Sequence, residues 1–142
     1  MEYSIKLDEK EKYCLHDSSV SNIEFINHKL IIHFKEGFWI TDDNGKEVQQ
    51  LNNCRTIYDF EIPEDEELNT LITTSYKNKE KEIPLIDFKK QLEAEVFEIG
   101  FEYKSSFRRG VLLIGSIGNL KCNIFIDYIE LITYLADKMW KY

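Results

Sequence analysis

Apolar and polar side chains alternate along several stretches of this chain, and this alternation restricts its fold more than any other feature. Leu30, Ile32 and Phe34 are separated by single residues, so every second side chain can face a core. A period of two residues is typical of a half-buried β-strand. The same pattern occurs in residues 96–103, one side of which carries the large apolar residues Phe97, Ile99, Phe101 and Tyr103.

Turn residues divide the first 50 residues into three predicted strands, at 20–27, 30–34 and 38–41. The predicted turns are Asn27-His28 and, before the third strand, a Glu-Gly pair at 36–37. After that strand, residues 42–45 (Asp-Asp-Asn-Gly) tolerate the positive φ angles of a tight turn. We therefore expect an N-terminal three-stranded antiparallel meander.

More strands are predicted later in the chain, and helical spacing indicates two helices. Residues 110–116 are apolar on both faces, which is typical of a central strand. Pro84 precedes a short helix predicted near 86–95, in which Phe88 and Leu92 are four residues apart. The whole chain, 1–142, is interpreted as one α+β domain built on a mostly antiparallel sheet of about seven or eight strands.

The second helix is predicted at the C-terminus, over residues 128–140. Asp127 is placed as its N-cap, and Glu130 follows three residues later to complete a capping box. Apolar residues then recur at helical spacing: Tyr128, Ile132, Leu135 and Met139. We expect this helix to pack across a face of the sheet.

Acidic residues are concentrated in the first half of the chain. Residues 1–71 carry 16 acids and 7 bases, whereas residues 72–142 carry 10 acids and 11 bases, so the net charge of −8 arises from the first half. Such a surface repels nucleic-acid phosphates. A solvated face that keeps the protein soluble is the favoured interpretation, and the same surface would suit a basic protein partner. The residues predicted to face that partner are acidic: Asp42, Asp43, Glu64, Asp65, Glu66 and Glu67.

Histidine and cysteine spacing does not match a metal site, and no metal or cofactor is predicted. The cysteines are Cys14, Cys54 and Cys122, which are odd in number and far apart, so a disulfide framework is not expected. No stretch approaches the ~20 apolar residues of a membrane span. The N-terminus lacks the apolar core of a secretory signal. These features favour a soluble protein of the cytoplasm.

Two short clusters could form a binding site. His16 and Asp17 are adjacent and could work with His33 or Arg109 if the fold brought them together. A local turn, in which Asp17 bonds backbone amides, is the favoured interpretation. Arg108-Arg109 could hold a carboxylate or phosphate, although a solvated pair that discourages strand pairing is the simpler interpretation.

The run Leu15-His16-Asp17-Ser18, followed by the predicted strands, resembles the start of a group of small uncharacterised bacterial proteins. That group shares a Leu-His-Asp-Ser/Cys signature and a β-meander, and the resemblance covers about the first 40 residues. In size, acidity and α+β build the chain also resembles immunity proteins, which bind and block a cognate toxin. The resemblance implies a binding role and carries over no activity.

Three functions follow as hypotheses, and binding is favoured over catalysis. The first is a protein-binding module, in its most specific form an immunity-like inhibitor of a basic toxin. The alternative is a small enzyme or ligand-binding domain with a site centred on His16 and Asp17. The third is a subunit of a larger assembly, joined through a sheet edge or through the aromatic-rich strand faces.

Overall fold

The computed structural model describes residues 2–5, 13–60, 70–105 and 109–139, which form mostly antiparallel β-sheet and one short helix. The strands up to the helix are β1 (Glu2–Ile5), β2 (Tyr13–Cys14), β3 (Ser19–Val20), β4 (Asn22–Ile26), β5 (Lys29–Phe34), β6 (Trp39–Thr41), β7 (Glu47–Phe60), β8 (Thr70–Tyr76) and β9 (Lys79–Glu82). The helix α1 (Leu85–Ala94) comes next. The remaining strands are β10 (Phe97–Ser105), β11 (Gly110–Ile117), β12 (Leu120–Ile126) and β13 (Ile129–Met139).

The strands form two sheets. The first has the order β1-β13-β7-β5-β4, and β6 joins it by pairing with the first part of β7 and with β2. The second has the order β3-β10-β11-β12-β8-β9. The chain passes from the second sheet to the first at Ser21, whose backbone N–H donates to the carbonyl of His33. All pairings between the described strands are antiparallel.

One hydrophobic cluster lies between the inner faces of the two sheets. Ile32 and Tyr58 of the first sheet and Leu113 and Ile124 of the second belong to this cluster, and all four are fully buried. Inward and outward residues alternate along these strands, as the period-two pattern predicted. The core therefore fixes which face of each sheet remains toward solvent.

The predicted short helix is confirmed as α1. Its first turn begins at Pro84, whose carbonyl accepts hydrogen bonds from the backbone N–H groups of Asp87 and Phe88. Phe88 and Leu92 are its buried residues, as their spacing predicted, and the Phe88 ring lies edge-on to that of Phe97, with 6.0 Å between centroids. No helix within the described residues is long and apolar enough to cross a membrane.

The predicted C-terminal helix at 128–140 is wrong, because residues 129–139 form the strand β13. β13 pairs with β7 on one side and with β1 on the other. Asp127 accepts a hydrogen bond from the adjacent N–H of Tyr128, which has φ +57°, so the chain bends here and does not begin a helix. The segment is apolar on both helical and strand spacings, and pairing with the 14-residue β7 decides between them.

The predicted three-stranded meander is correct for its first two strands. β4 and β5 form a hairpin through Asn27 and His28, which both have positive φ as a tight two-residue turn requires. The third strand, β6, pairs with β7 instead of β5. Gly37, with φ +83°, directs the chain away from β5, and a Cβ there would lie 1.7 Å from the carbonyl oxygen of Leu51.

The described strands also outnumber the seven or eight that were predicted. Some of the additional strands, such as β2 and β3, are two residues long. Others, such as β9, are charged and exposed along their whole length, with the sequence Lys-Glu-Lys-Glu. Such strands carry no hydrophobic period, so sequence pattern alone does not reveal them.

Candidate functional site

A β-bulge at Gly100 reverses the faces of β10. The register with β11 shifts between Ile99 and Phe101. Before the bulge, Phe97 and Ile99 are fully buried in the core. The expectation that Phe101 would share their side is therefore wrong, because the extra residue turns it outward.

The bulge also turns charged residues toward the first sheet. Lys104 is half-buried, and its ammonium group donates a 2.8 Å hydrogen bond to the hydroxyl of Tyr134 on β13. The same Nζ lies 5.4 Å from the centre of the Tyr134 ring, within the range of a cation–π contact. Lys104 thus links the two sheets directly behind the outward-facing aromatic residues.

The strand registers align apolar residues across the outer face of the second sheet. One row crosses four strands, from β10 to β8: Tyr103, Leu112, Phe125 and Leu71. A second row begins with two more apolar residues and then becomes polar: Phe101, Ile114, Asn123, Thr73 and Glu82. We call the six apolar residues the outer patch: Tyr103, Leu112, Phe125, Leu71, Phe101 and Ile114.

Three residues of the outer patch are exposed, and the other three, Leu112, Ile114 and Phe125, are half-buried. Phe101, Tyr103 and Leu71 are 57%, 55% and 41% exposed. The rings of Phe101 and Tyr103 stack with 6.2 Å between centroids and an angle of 25° between planes. The solvent face of an antiparallel sheet is ordinarily polar, so an apolar cluster that spans four strands indicates an interaction site.

Charged residues border the outer patch mainly with negative sign. The third row, which lies next to the second, contains two carboxylates and one ammonium group: Glu98, Ser116, Lys121, Ser75 and Glu80. Glu82, at the end of the second row, adds a third carboxylate. These charged side chains are exposed. We call Glu98, Glu80 and Glu82 the acidic border.

His16 and Asp17, the centre of the predicted ligand site, lie in a turn beside Phe101. The His16 ring is edge-on to that of Phe101 at 6.0 Å, and its Nδ1 lies 3.2 Å from a carboxylate oxygen of Asp17. The backbone N–H of Ser18 donates to the carbonyl of Leu15 and closes the turn, and the N–H of Asp17 donates to the carbonyl of Ile99, which attaches the turn to β10. The favoured turn interpretation agrees with this geometry, although backbone bonds, not the Asp17 side chain, form the turn.

His33 and Arg109, the other residues of the predicted ligand site, contact different residues from those around His16. His33 lies on β5 with its Nε2 2.5 Å from a carboxylate oxygen of Glu24. Arg109 is exposed at the start of β11, with φ +51°, and its carbonyl accepts a hydrogen bond from Ile129. Among the described residues, no hydrogen bond, ion pair or ring contact joins His16 to His33 or to Arg109. Arg108 lies outside the described residues.

The predicted acidic partner surface is described only in part. Asp42 accepts hydrogen bonds from the backbone N–H groups of Asn44 and Lys46, both at 2.9 Å, and so closes the β6–β7 turn. Asp43 is exposed in the same turn. Residues 64–67 (Glu-Asp-Glu-Glu) lie outside the described residues.

Within the described residues, the cysteines show no sign of a reactive thiol or of a metal site. Burial raises the pKa of the Cys122 thiol to about 12, so this thiol stays protonated at neutral pH. In the part of the chain that the structure describes, no group of three or more acidic, histidine or cysteine residues could hold a metal ion.

Two clefts lie on the surface of the described structure. A cleft of about 510 Å³ lies between α1 and Phe25, and Ile86 and two lysines also line it. A second, of about 480 Å³, adjoins Leu71 and Glu82.

The strands of the outer patch were predictable from the sequence, whereas the patch itself was not. Residues 96–103 and 110–116 were predicted as strands, and the latter is central in its sheet as expected. The missed signal is Gly100, since a glycine inside an alternating stretch often marks a bulge. Comparisons with protein-family models, with curated proteins and with solved structures find no match to the chain. The function must therefore be argued from the chemistry of the site.

Proposed function

We propose that this chain is a protein-binding module that docks a basic partner protein on its outer patch. The observation that carries the proposal is an apolar cluster on a solvent-facing sheet surface, next to an acidic border. Interfaces combine an apolar centre with a polar rim, and aromatic residues such as Tyr103 are common energetic anchors in them. An immunity-like inhibitor of a basic toxin is the most specific form of this proposal.

The charges around the outer patch favour a partner protein whose binding surface is positively charged. Three carboxylates and one ammonium group border the outer patch, and the whole chain has a net charge of −8. A second copy of this chain would bring two acidic borders together, which opposes association. A partner with lysine or arginine around its own apolar surface would instead be attracted, and salt would weaken the attraction.

The alternative proposal, an enzyme or ligand-binding domain centred on His16 and Asp17, has less support. Both side chains are exposed in a surface turn, at 46% and 70%. Neither lines the two clefts described above. The contact of His16 with Phe101 instead places it at one end of the outer patch.

A pair of tyrosines permits a controlled test. Tyr103, in the outer patch, is 55% exposed, while Tyr76, at the far end of β8, is 54% exposed. A photo-crosslinking amino acid placed at position 103 should capture a basic protein in the native cell, whereas the same group at position 76 should not. The captured protein is then identified, purified and titrated against the chain.

The titration decides the proposal. Tyr103→Ser should weaken binding by about 2 kcal/mol, or about 30-fold, and Tyr76→Ser should leave it unchanged. Binding should also weaken when salt is raised from about 50 to about 300 mM. The proposal fails if both positions crosslink equally, if neither does, or if the captured protein is acidic and its affinity is independent of salt.

A further inference from the structure

We infer that the partner segment on the outer patch is an amphipathic α-helix that lies across the strands, with its basic residues mainly along one edge. The inference rests on the proposed function, because it specifies which kind of partner surface the outer patch accepts. It follows from the spacing of the two apolar rows and from the one-sided position of the acidic border.

The length of the first row matches a helix. Neighbouring strands are about 4.8 Å apart, so the row from Tyr103 to Leu71 is about 14 Å long with an anchor at every strand. A helix presents apolar side chains about once per 5.4 Å turn, so about three turns cover the row. Same-face residues of an extended strand are about 6.8 Å apart and fall out of step with the anchors.

The width of the outer patch also matches a helix. Phe101 and Ile114 lie two residues along their strands from Tyr103 and Leu112, so the second row is about 6.8 Å from the first. A helix about 10 Å across, with an apolar stripe about 100° wide, presents roughly 9 Å of apolar arc. Two rows therefore fill one helix face.

The charges then orient the helix. Glu82 ends the second row, and the third row contains Glu98 and Glu80 with Lys121 between them. The opposite side of the first row continues into the uncharged Ser105 and Gly110 and into one carboxylate, Asp127, two residues after Phe125. Three carboxylates on one side outnumber the single one on the other, so basic residues are favoured mainly along the helix edge that faces the acidic border.

Three synthetic peptides of about 18 residues, or five helical turns, test the inference. The first carries a leucine stripe with lysines along one edge. The second contains the same residues in strand-like alternation, and the third replaces the lysines of the first with glutamates. Each is titrated into the full chain while peptide helicity is followed by circular dichroism and the contact surface by amide chemical shifts.

We expect the first peptide to bind saturably, to become helical and to shift the amides of β8, β10, β11 and β12. The second and third should bind at least about tenfold more weakly. Tyr103→Ser should weaken the first peptide about tenfold or more, with Tyr76→Ser as the matched control. Glu82→Lys should weaken the first peptide and strengthen the third, and Glu93→Lys on α1 should do neither.

The contrary outcomes are separable. If the alternating peptide binds best and depends on Tyr103, the helix is wrong while the binding module stands. If no peptide shows Tyr103-dependent binding, the helix is also wrong, and the crosslinking experiment alone then decides the proposed function. Tyr103-dependent dimerisation of the chain, or Tyr103-dependent binding of a thymidine oligonucleotide, would overturn both, because each names a different occupant.

Discussion

Truncating Tyr134 should destabilise the protein far more than truncating its neighbour Leu135. In β13, Tyr134 is 1% exposed between the sheets, while Leu135 is half-buried on the outer face of the first sheet. In the helix that sequence spacing favours, the order would be reversed, because Leu135 belongs to the apolar stripe and Tyr134 does not. The two adjacent substitutions therefore test the strand assignment directly.

The expected magnitudes follow from the contacts. The Tyr134 ring lies 4.9 Å from that of Tyr13 and 5.7 Å from that of Phe38, and its hydroxyl accepts the hydrogen bond from Lys104. Replacing a large buried aromatic residue with alanine costs about 3–5 kcal/mol. Tyr134→Phe keeps the ring and loses the hydrogen bond, for about 1–2 kcal/mol. Leu135→Ala leaves no enclosed cavity and should cost about 1 kcal/mol.

Urea unfolding followed by circular dichroism measures these differences. The m-values of all variants should match that of the wild type, so that each midpoint shift reports a change in the free energy of unfolding. If Tyr134→Ala does not fold while Leu135→Ala does, the order of the two costs is already the expected one. A Leu135→Ala cost above that of Tyr134→Ala, or a Tyr134→Phe cost near zero, would refute the burial of Tyr134 against Lys104.

Two further predictions concern other parts of the second sheet. Gly115→Ala should destabilise the chain by more than about 2 kcal/mol, because the new Cβ would lie 1.9 Å from the carbonyl oxygen of Glu98. Gly100→Ala is the control, because its Cβ would lie no closer than 3.5 Å to any other atom. In the same urea assay, Gly100→Ala should cost less than about 1 kcal/mol. Burial raises the pKa of Cys122 from 9.0 to about 12, so the unfolded thiol ionises first and the free energy of unfolding should fall as pH rises through this range. Relative to Cys122→Ala, the wild type should lose about 1.4 kcal/mol between about pH 8 and about pH 10, and parallel pH curves for the two proteins would contradict this.

Local patterns predicted the parts of the fold that local chemistry determines. The β4–β5 hairpin was predictable because Asn27 and His28 adopt positive φ readily enough to form its turn. The helix α1 was predictable because Pro84 sets its start and Phe88 and Leu92 mark its buried face. These elements need little information from distant parts of the chain.

The predictions that were wrong concern parts of the fold that depend on pairing between strands distant in the sequence. β13 is apolar on strand and helical spacings alike, and contact with β7 and β1 favours the strand. The β5–β7 pairing likewise depends on a strand that is 14 residues long and serves both β5 and β6. A single sequence does not show which residues of two distant strands lie opposite each other, so such pairings cannot be predicted from it.

The candidate site depends on one residue that breaks the alternation from which the fold was predicted. Without the extra residue at Gly100, Phe101 and Tyr103 would continue the inward series of Phe97 and Ile99, and charged side chains would face solvent. With the bulge, the aromatic residues face outward and Lys104 reaches Tyr134 between the sheets. Exposing two aromatic rings and half-burying a lysine both cost stability unless something is gained. Because one bulge causes both, the reversal of β10 is the feature that a binding function would explain and that folding alone would not.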